Sequence, residues 1–385
     1  MGCAQLSKRS KNNNEDIENM IPVAEPSLGE EELLNVIEAV KSGWVSSKGK
    51  FIEEFEQKFA KYCGRKYGVA TSNGTAALHL ALTALGIKKG DEVIVPDLSF
   101  IATANTVSYC NAKPVFVDSH PDYWCIDPDK IEGKITPKTK AIMPVHLYGH
   151  PCDMDWINDL AKDHNLYVIE DAAEAHGAEY RGKKVGSFGD IACFSFYGNK
   201  IITTGEGGMC LTNNEELAEK MRILRDHGMN PNRRYWYNVI GFNYRMTNLQ
   251  AAVGVAQLKK LDEFIEKKRK IARWYENRLR EFDENGTVRL HPEMPWAKCV
   301  YWMYSVLINE KFGICRDELM KKLEEKGIET RPFFYPLHTL PIYESDEKLP
   351  VAEEISFKGI NLPSGLSLNR EEVISIVEII NEVLK

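Results

Sequence analysis

The sequence lacks a basic excess, closely paired cysteines and a clean apolar span, and each absence removes a class of protein. Its 385 residues carry a formal net charge of −7, which argues against general nucleic-acid binding, since such binders are normally basic. Nine cysteines stand singly at positions 3, 63, 110, 125, 152, 193, 210, 299 and 315, with no C-x-x-C. An odd number of scattered cysteines suggests free thiols in a reducing, cytoplasmic setting rather than a disulfide framework. The longest stretch without Asp, Glu, Lys or Arg is "YGVATSNGTAALHLALTALGI", residues 67–87. Thr71, Ser72, Asn73, Thr75, His79 and Thr83 make it too polar for a membrane span, so it reads as strand, turn and buried helix. No secretory signal is recognised. The Met-Gly start has Leu6 where a myristoylation site wants Ser or Thr, and residues 1–20 read as a disordered, polar lead-in.

Signature motifs are missing too. "TGEGG" is neither G-x-G-x-x-G nor a Walker loop. "HLYGH" (His146, His150) lacks the glutamate of H-E-x-x-H, and Gly149 disfavours a helix there, so no metal site is expected. Asp153 and Asp155 of "CDMD" read as helix-capping residues rather than as a metal-binding D-x-D.

What is present is a soluble globular profile, 43% hydrophobic and 27% charged, long enough for more than one domain. From about residue 66, apolar strand candidates ("YGVAT", "EVIVP", "PVFVD", "AIMPV", "LYVIED") alternate with helix candidates. This pattern predicts parallel β-α-β units with ligands at the carboxyl ends of the strands. A long charged helix is expected over 249–282, followed by a smaller α+β region ending in "NREEVISIVEIINEVL".

Three features at predicted strand ends could do chemistry. Asp171 closes "LYVIED", either as a helix cap or as a buried acid facing a protonated heterocyclic nitrogen. Lys200 lies in "FSFYGNKIITTGEGGM", an ammonium among aromatic, hydroxyl and glycine residues. In a dry pocket its pKa falls and the amine can form Schiff bases with carbonyl compounds. Ser195, Thr203 and Thr204 nearby can donate to an anion. Gly74 and Thr75 stand where a strand turns into a helix, whose free N–H groups and dipole suit a phosphate. An amine, an acid and an anion cradle together match one ligand, pyridoxal 5′-phosphate, with Phe100 available to stack on its ring.

The blocks "EDAAEAHG", "GSFGDIACFSFYGNKIITTGEGGM" and "GFNYRMTNLQAAVG" resemble the DegT/StrS-type nucleotide-sugar aminotransferases, from about Ile21 to the C-terminus. The resemblance implies an α/β, aspartate-aminotransferase-like (type I) fold. A large cofactor domain with a mostly parallel seven-stranded sheet would cover 21–255, and a smaller C-terminal α+β domain 256–385. It implies a homodimer with shared active sites, pyridoxal phosphate alternating with pyridoxamine phosphate, and L-glutamate and a nucleotide-linked keto sugar as substrates. Lys200 matches the Schiff-base lysine, Asp171 the ring-nitrogen partner and Glu174 a group near the cofactor hydroxyl. Gly74, Thr75 and Ser195 match phosphate contacts, and Asn243 matches an asparagine reaching in from the partner subunit.

"MIPVAEPSLGEEEL", "SGWVSSKGKFIEEFE", "YWCIDPDKI" and "IETRPFFYPLHTLPIY" further resemble members that aminate carbon 4 of GDP-4-keto-6-deoxymannose to form GDP-perosamine for surface polysaccharide. On that basis Arg331, Tyr335, His338 and Arg233 (with its neighbour Arg234) are candidate sugar or diphosphate contacts. Asp97 departs from the family pattern, because a carboxylate beside an anionic cofactor is unfavourable unless it points away. The alternatives are a UDP- or dTDP-linked keto sugar, or a non-catalytic member kept for regulation or scaffolding. The intact Lys200 and Asp171 speak against the last.

Overall fold

The computed structural model describes residues 20–383; the lead-in expected over 1–20 otherwise lies outside them. Seven strands form the main sheet: β1 (Tyr67–Thr71), β2 (Glu92–Pro96), β3 (Lys113–Val117), β4 (Thr139–Ile142), β5 (Tyr167–Asp171), β6 (Ile191–Ser195) and β7 (Gly208–Thr212). Their spatial order is β1-β7-β6-β5-β4-β2-β3. Pairings from β3 through β2, β4 and β5 to β6 are parallel, and β7 runs antiparallel to both neighbours. The expected mostly parallel seven-stranded α/β sheet is therefore present.

Helices cover the sheet as the alternating pattern requires. α1 (Glu30–Lys41) and α2 (Lys50–Tyr62) precede β1; α3 (Gly74–Leu85), α4 (Ala102–Tyr109) and α5 (Met154–Asp163) lie between strands; α6 (Glu215–Arg225) follows β7. Nearly all of α3 is buried, because it packs on β6 and β7 while α4 and α6 cover its outer side. This explains a helix apolar on all faces outside a membrane. Among the described residues no helix is long and apolar enough to cross one. α2 turns Phe51, Phe55 and Phe59 inward at helical spacing. Phe55 and Phe59 meet Phe196 at ring distances of 4.9 and 5.1 Å, so the apolar half of the Lys200 segment is held from behind.

The charged helix expected over 249–282 is two helices, α7 (Asn248–Lys259) and α8 (Leu261–Glu284). Lys260 breaks the ladder: its N–H bonds the Gln257 carbonyl three residues back (3.0 Å), and its ammonium pairs with the buried Glu32 of α1 at 2.8 Å. That ion pair has no signature in local periodicity. Beyond α8, β8 (Val288–Arg289), β9 (Tyr304–Ile308), β10 (Arg331–Pro332) and β11 (Gly359–Leu362) form an antiparallel sheet in the order β8-β9-β11-β10. The helices α9 (Arg316–Glu324), α10 (Pro350–Lys358) and α11 (Arg370–Val383) accompany it. A second core of Ile271, Tyr275, Val306, Leu319, Ile360 and Ile376 lies here, whereas Val300, Trp302, Met303 and Phe333 join the core of the main sheet.

Lys268 of α8 stitches these parts together. Its buried Nζ donates to the Trp302 and Ser364 carbonyls at 2.9 and 2.5 Å. Burial pushes its pKa down to about 7. The unfolded chain keeps that proton up to the ordinary lysine range, so above neutrality the unfolded state binds more protons and stability rises with pH. Relative to wild type, Lys268→Met should lose up to about 1.4 kcal/mol of stability gain per pH unit between neutrality and the ordinary lysine pKa, as read from urea unfolding at several pH values.

Candidate active site

A cavity of about 640 Å³ opens at the carboxyl ends of the central strands. Gly74, Thr75, Phe100, Asp171, Glu174, Ser195, Lys200 and Arg331 all line it, although they come from five separate stretches of chain.

β5 delivers two carboxylates to opposite faces, as strand alternation demands. The Glu170 side chain accepts from the N–H groups of Gly186 (2.6 Å), Phe188 and Gly189 (both 2.8 Å) and meets His146 Nε2 at 3.3 Å. Burial would raise its pKa, but His146, Arg65 and these N–H groups hold it below the usual carboxylate range. Asp171 points into the cavity. Its Oδ2 accepts from the Thr103 hydroxyl (2.9 Å), itself braced by Ser99 (2.9 Å), and its Oδ1 accepts from Ala173 N–H (3.2 Å). Burial raises its pKa against these donors and the nearby Lys200. A carboxylate so placed favours a cation opposite it.

Lys200 lies in the loop joining β6 to β7, its side chain only 10% exposed. Its Nζ is 3.7 Å from Glu174 Oε1 and 3.6 Å from the centroid of the Trp302 ring. Burial lowers the lysine pKa, with Glu174 and Asp171 opposing. Burial lifts Glu174 to about 7, against Lys200 and the Tyr148 N–H that donates to its Oε2 at 2.8 Å. The two shifts draw the proton affinities of the lysine and the glutamate toward one another.

At the start of α3, Asn73 Oδ1 caps Ala76 N–H (2.7 Å), while the first-turn N–H groups of Gly74 and Thr75 have no acceptor within the helix. A Cβ on Gly74 would fall 2.7 Å from that of Ser195. Glycine alone lets the helix end approach β6 this closely and leaves an anion-sized cradle between them. An amine, a buried acid and this cradle fit pyridoxal phosphate.

The remaining expected residues lie off this cavity. Asn243 is exposed and bridges Asp226. Arg233 is also exposed, its guanidinium 4.0 Å from the centre of the Trp236 ring, and Tyr335 is 62% exposed. His338 is buried. Its Nδ1 meets Asp97 Oδ2 at 2.7 Å, its N–H donates to Asp97 Oδ1 at 2.9 Å, and its Nε2 lies 3.4 Å from Glu353. Asp97 thus turns away from the anion cradle and binds the 331–343 loop to the end of β2. Arg331 pairs with Glu329 (3.4 Å) in its own segment rather than across domains. Residues absent from the sequence reading are Thr103, Tyr148, Phe334 and Trp302. Their aromatic or hydroxyl character gave no signal, because only the fold brings them to Lys200 and Asp171.

The family model of the DegT/DnrJ/EryC1/StrS aminotransferases matches residues 26–381. The chain belongs to this family. The aminotransferase is 51% identical over 366 residues to the GDP-perosamine synthase of Caulobacter vibrioides, covering 94% of this chain and 98% of the relative. It is 52% identical over 363 residues to the GDP-perosamine synthase of Escherichia coli O157:H7, with the same coverage. Its fold matches Spr1654 of Streptococcus pneumoniae, solved in a PLP form, with a TM-score of 0.88, 27% identity, and 95% and 98% of the two chains covered.

The Asp97–His338 clasp gives the aminotransferase a testable joint. Asp97→Asn keeps an acceptor for the His338 N–H but removes the charge, and should cost about 1.5–3 kcal/mol of stability. His338→Asn should cost a similar amount, and the double variant little more than either, as read from urea unfolding in a double-mutant cycle.

Proposed function

We propose that the chain transfers the amino group of L-glutamate to carbon 4 of a GDP-linked 4-keto-6-deoxy sugar, GDP-4-keto-6-deoxymannose, forming GDP-perosamine. The observation that carries the chemistry is the dry cavity in which Lys200, Glu174 and Asp171 converge beside the free N-terminus of α3. The sugar assignment rests on the two GDP-perosamine synthases that are about half identical to this chain.

In this reading Gly74, Thr75 and Ser195 bind the phosphate of pyridoxal 5′-phosphate, Asp171 keeps its ring nitrogen protonated, Phe100 covers a ring face and Glu174 approaches its hydroxyl. Bound there, the cofactor supplies an aldehyde that condenses with amines and a ring that accepts electrons from the broken C–H bond. Lys200 Nζ would take the proton from the α-carbon of glutamate and pass it to the bound cofactor, and with the sugar would move a proton back from the cofactor to carbon 4, being an ammonium only within each transfer. Both roles need a lysine whose pKa is drawn toward neutrality, the direction that burial sets. Arg331, on the cavity wall, faces the anionic parts of the substrates.

The proposal includes a homodimer. The exposed apolar residues Leu33, Leu34, Ile37 and Val40 of α1, with Trp44 and Val45, and the exposed Tyr235, Trp236, Tyr237 and Ile240 make surfaces suited to a second copy. Asn243 and Arg233 lie in or beside the second surface, which supports their acting on the partner's cavity.

The holoenzyme should be converted to its amine form with glutamate, freed of excess, and offered GDP-, UDP- and dTDP-linked keto sugars singly. The cofactor absorbance should return to the aldehyde form with GDP-4-keto-6-deoxymannose alone; return with a UDP or dTDP sugar instead would reassign the substrate. Lys200→Ala should lower turnover by at least about 10²–10⁴-fold, and wild-type turnover by that variant would remove Lys200 from the chemistry.

A further inference from the structure

The Lys200 ammonium rests against an aromatic face as well as a carboxylate. Its Nζ lies 3.6 Å from the Trp302 ring centroid, closer than its 3.7 Å approach to Glu174 Oε1. A cation over an indole is held most strongly where water is excluded, and this side chain is nearly buried.

Trp302 is fixed on every side. Its Nε1–H donates to the carbonyl of Asn199, the residue before the lysine, at 2.8 Å. Its N–H donates to the Tyr148 carbonyl at 3.1 Å, and its own carbonyl accepts from Lys268 at 2.9 Å. The Tyr148 ring stacks beside it, 6.2 Å away at 21°. Tyr148 also gives its N–H to Glu174 Oε2, so one residue mounts both groups that flank Nζ. The neighbouring Gly149 has φ +99, and a Cβ there would lie 2.9 Å from the Tyr301 and Trp302 nitrogens. The approach of Trp302 to this turn therefore depends on glycine.

We propose that the Trp302 indole is the seat of the Lys200 ammonium whenever that amine is not covalently engaged, and that Trp302 is a positioning residue which steadies the ammonium formed when Lys200 accepts a proton, before it is passed to carbon 4 of the sugar. The inference rests on the reading of Lys200 as the proton carrier. Glu174, Asp171 and His176 are the titratable groups acting on the lysine, and Lys268 stands behind the indole. Variants at 302 leave all four in place. An aromatic face favours the charged amine, so removing it must lower the proton affinity of Lys200.

The test uses the holoenzyme in its amine form, in which Lys200 is free. Competitive labelling with trace acetic anhydride, quantified on the Lys200 peptide by mass spectrometry across neutral and alkaline pH, reads the lysine's midpoint directly. Trp302→Leu should lower that midpoint by about one pH unit, a tenfold loss of ammonium at a given pH. Trp302→Phe and Trp302→Tyr, which keep a ring and the packing, should fall between it and wild type. Because Lys200 must enter the sugar half-reaction as the neutral amine, the acid limb of that reaction should move down with the midpoint. A midpoint unchanged in Trp302→Leu, midpoints in the Phe and Tyr variants no closer to wild type than in the Leu variant, or rates that fall without moving the pH profile, would overturn the proposal. Failure of the Lys200 reading is seen separately, as turnover retained by Lys200→Ala, which leaves the labelling result intact.

Discussion

Exclusion of water from Lys200 and Asp171 is the constraint on which the site depends. An ammonium exposed to solvent keeps its proton at neutral pH, and an exposed carboxylate is screened from a ring nitrogen. Buried, both shift toward the states in which a proton can be exchanged or held. Much of the surrounding architecture serves that burial: Phe55 and Phe59 behind the Lys200 segment, Thr103 and Ser99 behind Asp171, Trp302 and Tyr148 against the amine. Burial alone would neutralise these groups wherever they lay, so their mutual spacing matters as much as their dryness. Glu174 is the hinge of the arrangement, paired with the lysine on one oxygen and tied to a backbone N–H on the other.

The cavity walls come from segments remote in the chain. The β2 end contributes Ser99 and Phe100, and the segment after α9 contributes Arg331 and Phe334. Asp97 and His338 lock these walls in register, and the Leu337 N–H to Asp97 carbonyl bond adds a backbone tie at 2.8 Å. A carboxylate that looks unfavourable beside a phosphate thus joins the end of β2 to the 331–343 loop, facing away from the anion. Lys268 does the corresponding work on the other side, holding the Trp302 carbonyl from α8.

The main sheet was legible because parallel strands buried on both faces leave short apolar runs that alternate with helices, and each run from "YGVAT" to "LYVIED" became a strand. Asp171, Lys200, Gly74 and Ser195 were legible as strand-end residues, since the fold class itself says where ligands sit. The helix expected over 249–282 is two helices that part at Lys260, whose N–H bonds the Gln257 carbonyl and whose ammonium pairs with Glu32, more than two hundred residues away. The placing of His338 likewise depends on a residue remote in the chain. The "RPFFYPLH" loop does border the cavity, but which of its side chains face inward depends on Asp97.

The amino-acid sequence by itself determined the chemistry available: one lysine in an uncharged apolar segment, one acid at a strand end, and glycines where backbone must meet backbone. Those properties are local, set by residue type and spacing. Only the tertiary structure decided how the chemistry is tuned, because pKa values and cation–π contacts depend on distances between residues remote in the chain. Trp302 is a plain aromatic in "YWMY" until β9 and the Tyr148 turn bring it over Lys200.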